Sequence, residues 1–287
     1  MQTLGKIPFT LLMALLCFSQ FLDAQTTDST RYFNRIAAIS SSSPDAFGKG
    51  YFGTIGIGGT LQHHSRLGIK FDPDGNIISA IGLGNPEKYI GIDLRVNIFG
   101  FGNVGGRPDN LGEGSLDLHL SRMLHRNLWI GAGTYNMVHW IADGPNKLQS
   151  YYASTTAIFH LKENNRKAFS TLFLTAGVGN GKFRTDGDYT LAKPGPIGAF
   201  GAVALQVFPE GNFIAEWTGY NVFSGFSIMP SKDLPWQVLV GADDIFHKKR
   251  HLIIATSFGF HLFKDSYNTH ARMAILPPPP PPQSSRI

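Results

Sequence analysis

The chain is poor in cysteine, poor in charge and, past its first residues, free of long apolar runs. Its one cysteine is Cys17. If the first 24 residues are removed, the mature chain can hold neither a disulfide nor a thiolate metal site. Only 16% of residues are charged, 25 Lys and Arg against 20 Asp and Glu. The basic residues are scattered, without the stripe that nucleic acid requires, so no nucleic-acid partner is expected. After Gln25 nothing reaches the run of about 18 apolar residues that a membrane helix needs, which excludes a helical membrane protein.

The first 24 residues read as an export signal rather than as fold. Lys6 supplies a positive n-region, and residues 7–22 an apolar core broken by Pro8, Ser19 and Gln20. Leu22-Asp23-Ala24 then offers a small residue before a cut ahead of Gln25. Cys17 follows bulky Leu16, which does not suit a lipoprotein signal. Loss of this segment removes one Lys and one Asp, so the net charge of +5 is unchanged.

What is present is a period of two. Ile90, Ile92, Leu94, Val96 and Ile98 alternate with Tyr89, Gly91, Asp93, Arg95 and Asn97. Successive strand side chains point to opposite faces, so one face is apolar and the other carries charge. Leu116, Leu118 and Leu120 oppose Ser115, Asp117, His119 and Ser121 in the same way. Leu252, Ile254, Phe258, Phe260 and Leu262 oppose Ser257, Gly259 and His261, with Thr256 the one polar residue on the apolar side.

Twelve such segments are expected, near 50–62, 75–83, 88–98, 113–121, 127–137, 150–161, 168–179, 196–208, 211–220, 224–230, 235–241 and 251–263. Tight links such as Asn85-Pro86-Glu87 and Pro209-Glu210-Gly211 alternate with longer ones rich in Gly, Asp, Asn and Pro. This predicts an all-β chain, an antiparallel transmembrane β-barrel of about 12 strands, 10–14 at the limits, with short periplasmic turns and longer outer loops. Closure pairs every backbone group that lipid would leave unsatisfied. Aromatics near strand ends, including Tyr51, Phe52, Tyr89, Trp129, Tyr151, Phe208 and Trp236, suit girdles at the two interfaces. The competing reading is a secreted β-sandwich, whose outer faces would carry more Lys and Glu.

Two flanks remain. Residues 25–47 read as an N-terminal segment, a short helix through Phe33, Ile36, Ala37 and Ile39 and then a Ser-rich linker. The barrel is expected over 48–263. Residues 264–287 form a tail with six prolines, Pro277 to Pro282, a stiff polyproline spacer of the kind that docks in aromatic grooves.

The Ile-Gly-Leu-Gly-Asn-Pro-Glu-Lys-Tyr-Ile-Gly-Ile-Asp run at 81–93, Gly-Val-Gly-Asn-Gly-Lys-Phe at 177–183 and Ala-Glu-Trp-Thr-Gly at 215–219 resemble uncharacterised outer-membrane β-barrel proteins of Bacteroidetes and cyanobacteria, over about residues 48–263. The resemblance implies a barrel in the bacterial outer membrane, facing lipid. It implies no activity.

Candidate chemistry is sparse. Asp117, His119 and Ser121 share one strand face, but residues two apart on a strand are roughly 7 Å apart, too far for a direct His–Ser bond unless the side chains lean together. Asp72-Pro73-Asp74-Gly75-Asn76 opens like a calcium loop but lacks the remaining ligands, and Asp-Gly there reads as a hairpin tip. No enzyme, cofactor or metal site is expected. The lumen-lining set is Asp93, Arg95, Asn97, Asp117, His119, Ser121, Glu216 and Thr218. Its mixed charges are expected to pair across strands and narrow the bore. The first expected function is a narrow pore for small solutes. The alternative is a non-conducting structural or docking barrel with Pro277–Pro282 as a periplasmic contact.

Overall fold

The computed structural model describes residues 36–262, apart from 64–73, 100–111, 142–147, 165–166, 186–187, 189–194, 232–233 and 247–249. The export signal and the proline-rich tail lie outside the described residues. Twelve strands run in chain order: β1 Thr54–Gln62, β2 Asp74–Gly82, β3 Gly91–Phe99, β4 Gly114–His125, β5 Leu128–His139, β6 Ser150–His160, β7 Thr171–Gly179, β8 Gly198–Phe208, β9 Gly211–Trp217, β10 Val222–Ile228, β11 Trp236–Asp243 and β12 His251–His261. Each pairs antiparallel with its neighbours in sequence, and β1 closes on β12 from Thr54↔His261 to Gln62↔Ile253. The result is a closed antiparallel barrel with no sheet edge. The two short segments near 224–230 and 235–241 are full members of it, as β10 and β11.

Alternation sets the two faces. Ile77, Val96, Ile130, Leu174, Val203, Phe226, Val240 and Ile254 are exposed on the outside, an apolar surface that water would not tolerate over this extent. Thr256, the polar residue on this face, is satisfied locally. It accepts from Trp236 Nε1 at 2.7 Å and donates to the Gln237 carbonyl. No helix among the described residues is long and apolar enough to cross a membrane, and the strands are the elements that can. Arginine in place of Leu94, mid-strand in β3, is therefore expected to cost about 2–4 kcal/mol of barrel stability in lipid. Arginine in place of Gln62, which points inward beside Asp74, is expected to cost distinctly less. Urea titration of both variants in vesicles measures the difference, and equal costs would mean that the faces are assigned the wrong way round.

Both ends of the sheet, Thr54 and His261, lie at one rim. That rim also carries the tightest links, two residues each between β4 and β5 and between β8 and β9. The opposite rim carries most of the long links. The exception there is the four-residue link 218–221, where Gly219 takes φ +102°. A Cβ on Gly219 would sit 2.5 Å from the Phe183 carbonyl oxygen, so this turn is packed against its neighbour rather than standing out as a loop.

A bore of this size raises a packing problem. Eight strands make a barrel that side chains fill, and sixteen leave a channel. Here the wall residues are often small, among them Gly131, Ser154, Thr156, Thr175, Ala202 and Ala204. The space they leave is occupied by the segment 36–50, which runs inside the barrel before β1 begins. This corrects the expected helix and linker over residues 36–47, while residues 25–35, Phe33 among them, lie outside the described residues. Residues 36–47 contain no helix, and the serines are packed in the bore instead of bridging through water. The physical reason is that Ile36, Ile39 and Phe47 find an apolar interior. Ile39, Ala46, Trp129, Ile158, Phe173, Ile214, Phe223 and Leu239 form one buried cluster, with Ile36, Ala38 and Phe47 packed against it. Trp129 and Tyr51, expected in the interfacial girdles, are buried in this cluster. Phe52, Tyr89 and Tyr151 are exposed at the rims.

Candidate functional site

The segment enters at the rim where the sheet begins, climbs the β9–β11 wall, turns, and returns along β6 and β4. On the way in, the wall reads its carbonyls. Gln237 Nε2 donates to Ile36 at 3.5 Å, Asn212 Nδ2 to Ala37 at 2.8 Å and Ala38 at 3.2 Å, and Ser227 Oγ to Ala38 at 2.6 Å.

At the turn the wall reads its amides. Glu216 Oε1 accepts from the Ser42 and Ser43 amides at 2.9 and 2.7 Å and from the Ser42 hydroxyl at 2.9 Å, and Oε2 accepts from the Ser41 amide. A carboxylate aimed at consecutive amides is the strong, charge-assisted form of the hydrogen bond. The turn is braced internally, with Asp45 accepting from the Ser40 hydroxyl at 3.0 Å and from Lys49 Nζ at 2.5 Å.

On the way out, the Ala46 amide donates to Thr156 Oγ1 at 3.0 Å, and Thr156 meets Thr175 at 3.0 Å. Ser121 Oγ donates to the Lys49 carbonyl at 2.7 Å. Phe47 packs edge-on to Trp129, ring centroids 5.3 Å apart. Gly50 then joins the sheet with φ +78°. A Cβ there would lie 2.5 Å from the Gly91 backbone, so only glycine fits the join. Next to it, Tyr51 donates to Glu87 at 2.8 Å. Burial, and then the Glu87 charge, hold its phenol far above the usual range.

The other side of the bore is polar. Asp93, Asn97, Asp117, His119 and Ser121 are buried on facing strands, with Asp93 opposite His119 and Arg95 opposite Asp117. The charges do not pair across strands as expected. Arg95 pairs with Asp93 two residues away on its own strand, at 2.6 Å. Asp117 instead accepts from Asn97 Nδ2 at 2.5 Å, Ser115 Oγ at 3.0 Å and the Asn136 amide at 2.8 Å. Asn136, with φ 55°, lies where the β4–β5 register shifts. A bulge frees a backbone amide from the ladder, and Asp117 takes it up. Thr218 is buried in the β9–β10 link, bonded to Asn221.

Asp117, His119 and Ser121 are not joined into a relay. His119 Nδ1 meets the Tyr152 hydroxyl at 2.7 Å, and Ser121 is committed to Lys49. No group of three or more His, Cys, Asp or Glu that could hold a metal occurs among the described residues.

Aromatics cluster at the far mouth. A single turn of 3-10 helix, Gly181–Phe183, turns Phe183 inward, where it stacks on Phe200 at 4.2 Å beside Tyr152 and Tyr135. Lys182 Nζ lies 4.4 Å from the Tyr135 ring centre.

Of the residues that hold the inner segment, Glu216 and Ser121 belong to the lumen set read from the sequence. Asn212, Ser227, Gln237 and Thr156 do not. One signal in the sequence points to the segment itself: a Ser run bracketed by Ile36, Ile39 and Phe47, apolar residues that a solvated linker has no use for.

The fold defined by this pairing is the closed antiparallel barrel of twelve strands. No family model matches the chain, and no curated protein does. Among solved structures, the chain is similar to the outer membrane protein Omp33 of Acinetobacter baumannii, with 9% identity, 75% of this chain and 100% of that one covered, and a TM-score of 0.37. The N-terminal β-barrel domain of Pseudomonas aeruginosa OprF gives 8%, 73% and 99%, with a TM-score of 0.20. Ail of Yersinia pestis, the attachment invasion locus protein, solved with the heparin analogue sucrose octasulfate, gives 9%, 72% and 97%, with a TM-score of 0.19. These scores are low, and the fold stands on the strand pairing itself.

Proposed function

We propose that this chain is a bacterial outer-membrane barrel that does not conduct, a structural or docking barrel stoppered by its own residues 36–50. The observation that carries this is the segment lying in the bore, held at its turn by Glu216 and at its flanks by the apolar cluster. The apolar outer surface and the export signal support the location, and the aromatic cluster at the far mouth narrows the bore further. On this reading the surfaces left for partners are the rims and the Pro277–Pro282 tail. A narrow pore for small solutes, the other reading, requires the inner segment to leave an apolar core.

The test is single-channel recording of the purified mature protein in a planar bilayer. Silence at voltages where a porin gives steps is expected. Regular conductance steps from the intact chain would overturn the proposal in favour of the pore.

A further inference from the structure

The wall of the bore recognises the inner segment mainly through its backbone. Gln237, Asn212 and Ser227 donate to the carbonyls of residues 36–38, Glu216 accepts the amides of 41–43, Thr156 accepts the amide of 46, and Ser121 donates to the carbonyl of 49. These side chains come from five separate strands, β4, β6, β9, β10 and β11, with β9 contributing both Asn212 and Glu216. Of the segment's bulky side chains, Ile39 enters the apolar cluster and Ile36 and Phe47 pack against it, and the Ser42 hydroxyl also donates to Glu216. Between Ile39 and Phe47 the segment is small or polar, Ser40 to Ala46, and Gly131 on the wall facing Ala46 is small as well. The Ala46 Cβ lies 3.1 Å from where a Cβ on Gly131 would be.

We propose that the bore is a peptide-binding site, occupied by the chain's own residues 36–50, whose ligand class is a non-helical peptide of small residues with three apolar anchors at the spacing of Ile36, Ile39 and Phe47. The proposal rests on the closed-barrel reading and extends it. A wall that grips amides and carbonyls holds a separate strand of peptide by the same contacts as a tethered one. The tether at Gly50 raises the local concentration of the resident copy to the millimolar range that short linkers give. The site therefore stays self-occupied, and a competing peptide enters only when the resident copy cannot seat.

The test uses the full chain with Ile39→Asp and Phe47→Asp, which deny the resident segment the two anchors that flank its turn. A fluorophore-labelled synthetic peptide with the native sequence of residues 36–50 is titrated onto the refolded variant in detergent. Saturable binding is expected, weakened at least tenfold by a further Glu216→Ala change in the barrel. The same weakening is expected for a peptide with proline at 41, 42 and 43, which lacks the amides that Glu216 accepts. If the double variant does not fold alone, peptide present during refolding is expected to restore the compact, heat-modifiable gel band.

A folded variant that shows no saturable binding, a misfolded one that the peptide does not rescue, or equal binding of the proline peptide would each overturn the proposal. An intact chain that conducts would overturn the closed-barrel reading whatever the peptide does. A silent intact chain without peptide binding would overturn this inference alone.

Discussion

Replacing Glu216 by alanine is expected to destabilise the folded barrel by about 3–5 kcal/mol, because amides left buried without an acceptor cost about 1–3 kcal/mol each. Four donors converge on this carboxylate, three of them consecutive amides of Ser41–Ser43. Residue 216 is itself buried, so water does not replace what alanine removes unless the turn withdraws. Glu216→Gln keeps one good acceptor oxygen and is expected to lose roughly half as much, since the charge-assisted bonds are the stronger ones. Urea titration in lipid vesicles, followed by gel mobility, reads both changes. A loss below about 1 kcal/mol for the alanine variant, the scale of a single ordinary hydrogen bond, would show that the carboxylate does not hold the turn.

Trp129→Ala is expected to cost about 3–5 kcal/mol, the usual range for removing a large aromatic from a packed core. Trp129 is 3% exposed, touches Phe47 and belongs to the cluster that buries Ile39. Its indole nitrogen has no hydrogen-bond partner among the described residues. Trp129→Phe is therefore expected to be mild, because it keeps most of the packing and removes an unpaired donor. A double-mutant cycle with Phe47→Ala is expected to show coupling of about 0.5–1.5 kcal/mol, as aromatic pairs do. Additive costs within about 0.3 kcal/mol would mean that Trp129 faces lipid at an interface and that Phe47 is elsewhere.

The strands are legible in the sequence because alternation is a local property. Each of the segments around Ile90–Ile98 and Leu252–Leu262 shows its two faces without reference to any other part of the chain, and the tight Pro209-Glu210 link marks a hairpin by itself. The closure of β1 on β12 follows from the need to pair every edge, not from either strand's residues. The contents of the bore are not legible in the same way. Trp129 and Phe52 look alike as aromatics near strand ends, yet one faces Phe47 inside and the other the rim. Which face a strand-end aromatic takes depends on what fills the centre, and the filler here is 36–50, whose Ile36, Ala37 and Ile39 read locally as the end of a short helix and not as a core-filling strand.

The lumen set shows the same division. Alternation places Asp93, Arg95, Asn97, Asp117, His119 and Ser121 on one face of β3 and β4. Pairing across strands cannot be read from it, because the bulge at Asn136 offers Asp117 a backbone amide and Arg95 reaches Asp93 along its own strand. Glu216 is assigned to the interior by the apolar Phe213, Ala215 and Trp217 that alternate with it, but its partners lie more than 170 residues away in sequence.

Residues 36–50 thread the bore, and because no cysteine follows Cys17 this can be tested by cross-linking. With Ala46→Cys and Gly131→Cys, the two Cβ atoms would start 3.1 Å apart, close to the roughly 3.5–4.5 Å that a disulfide spans, so a shift of a few tenths suffices. In the folded, membrane-inserted protein the pair is expected to oxidise to a disulfide joining the segment to β5, and to be refractory to maleimide until reduced. Two free thiols that a membrane-impermeant maleimide labels in the folded barrel, under oxidising conditions, would place the segment outside the bore.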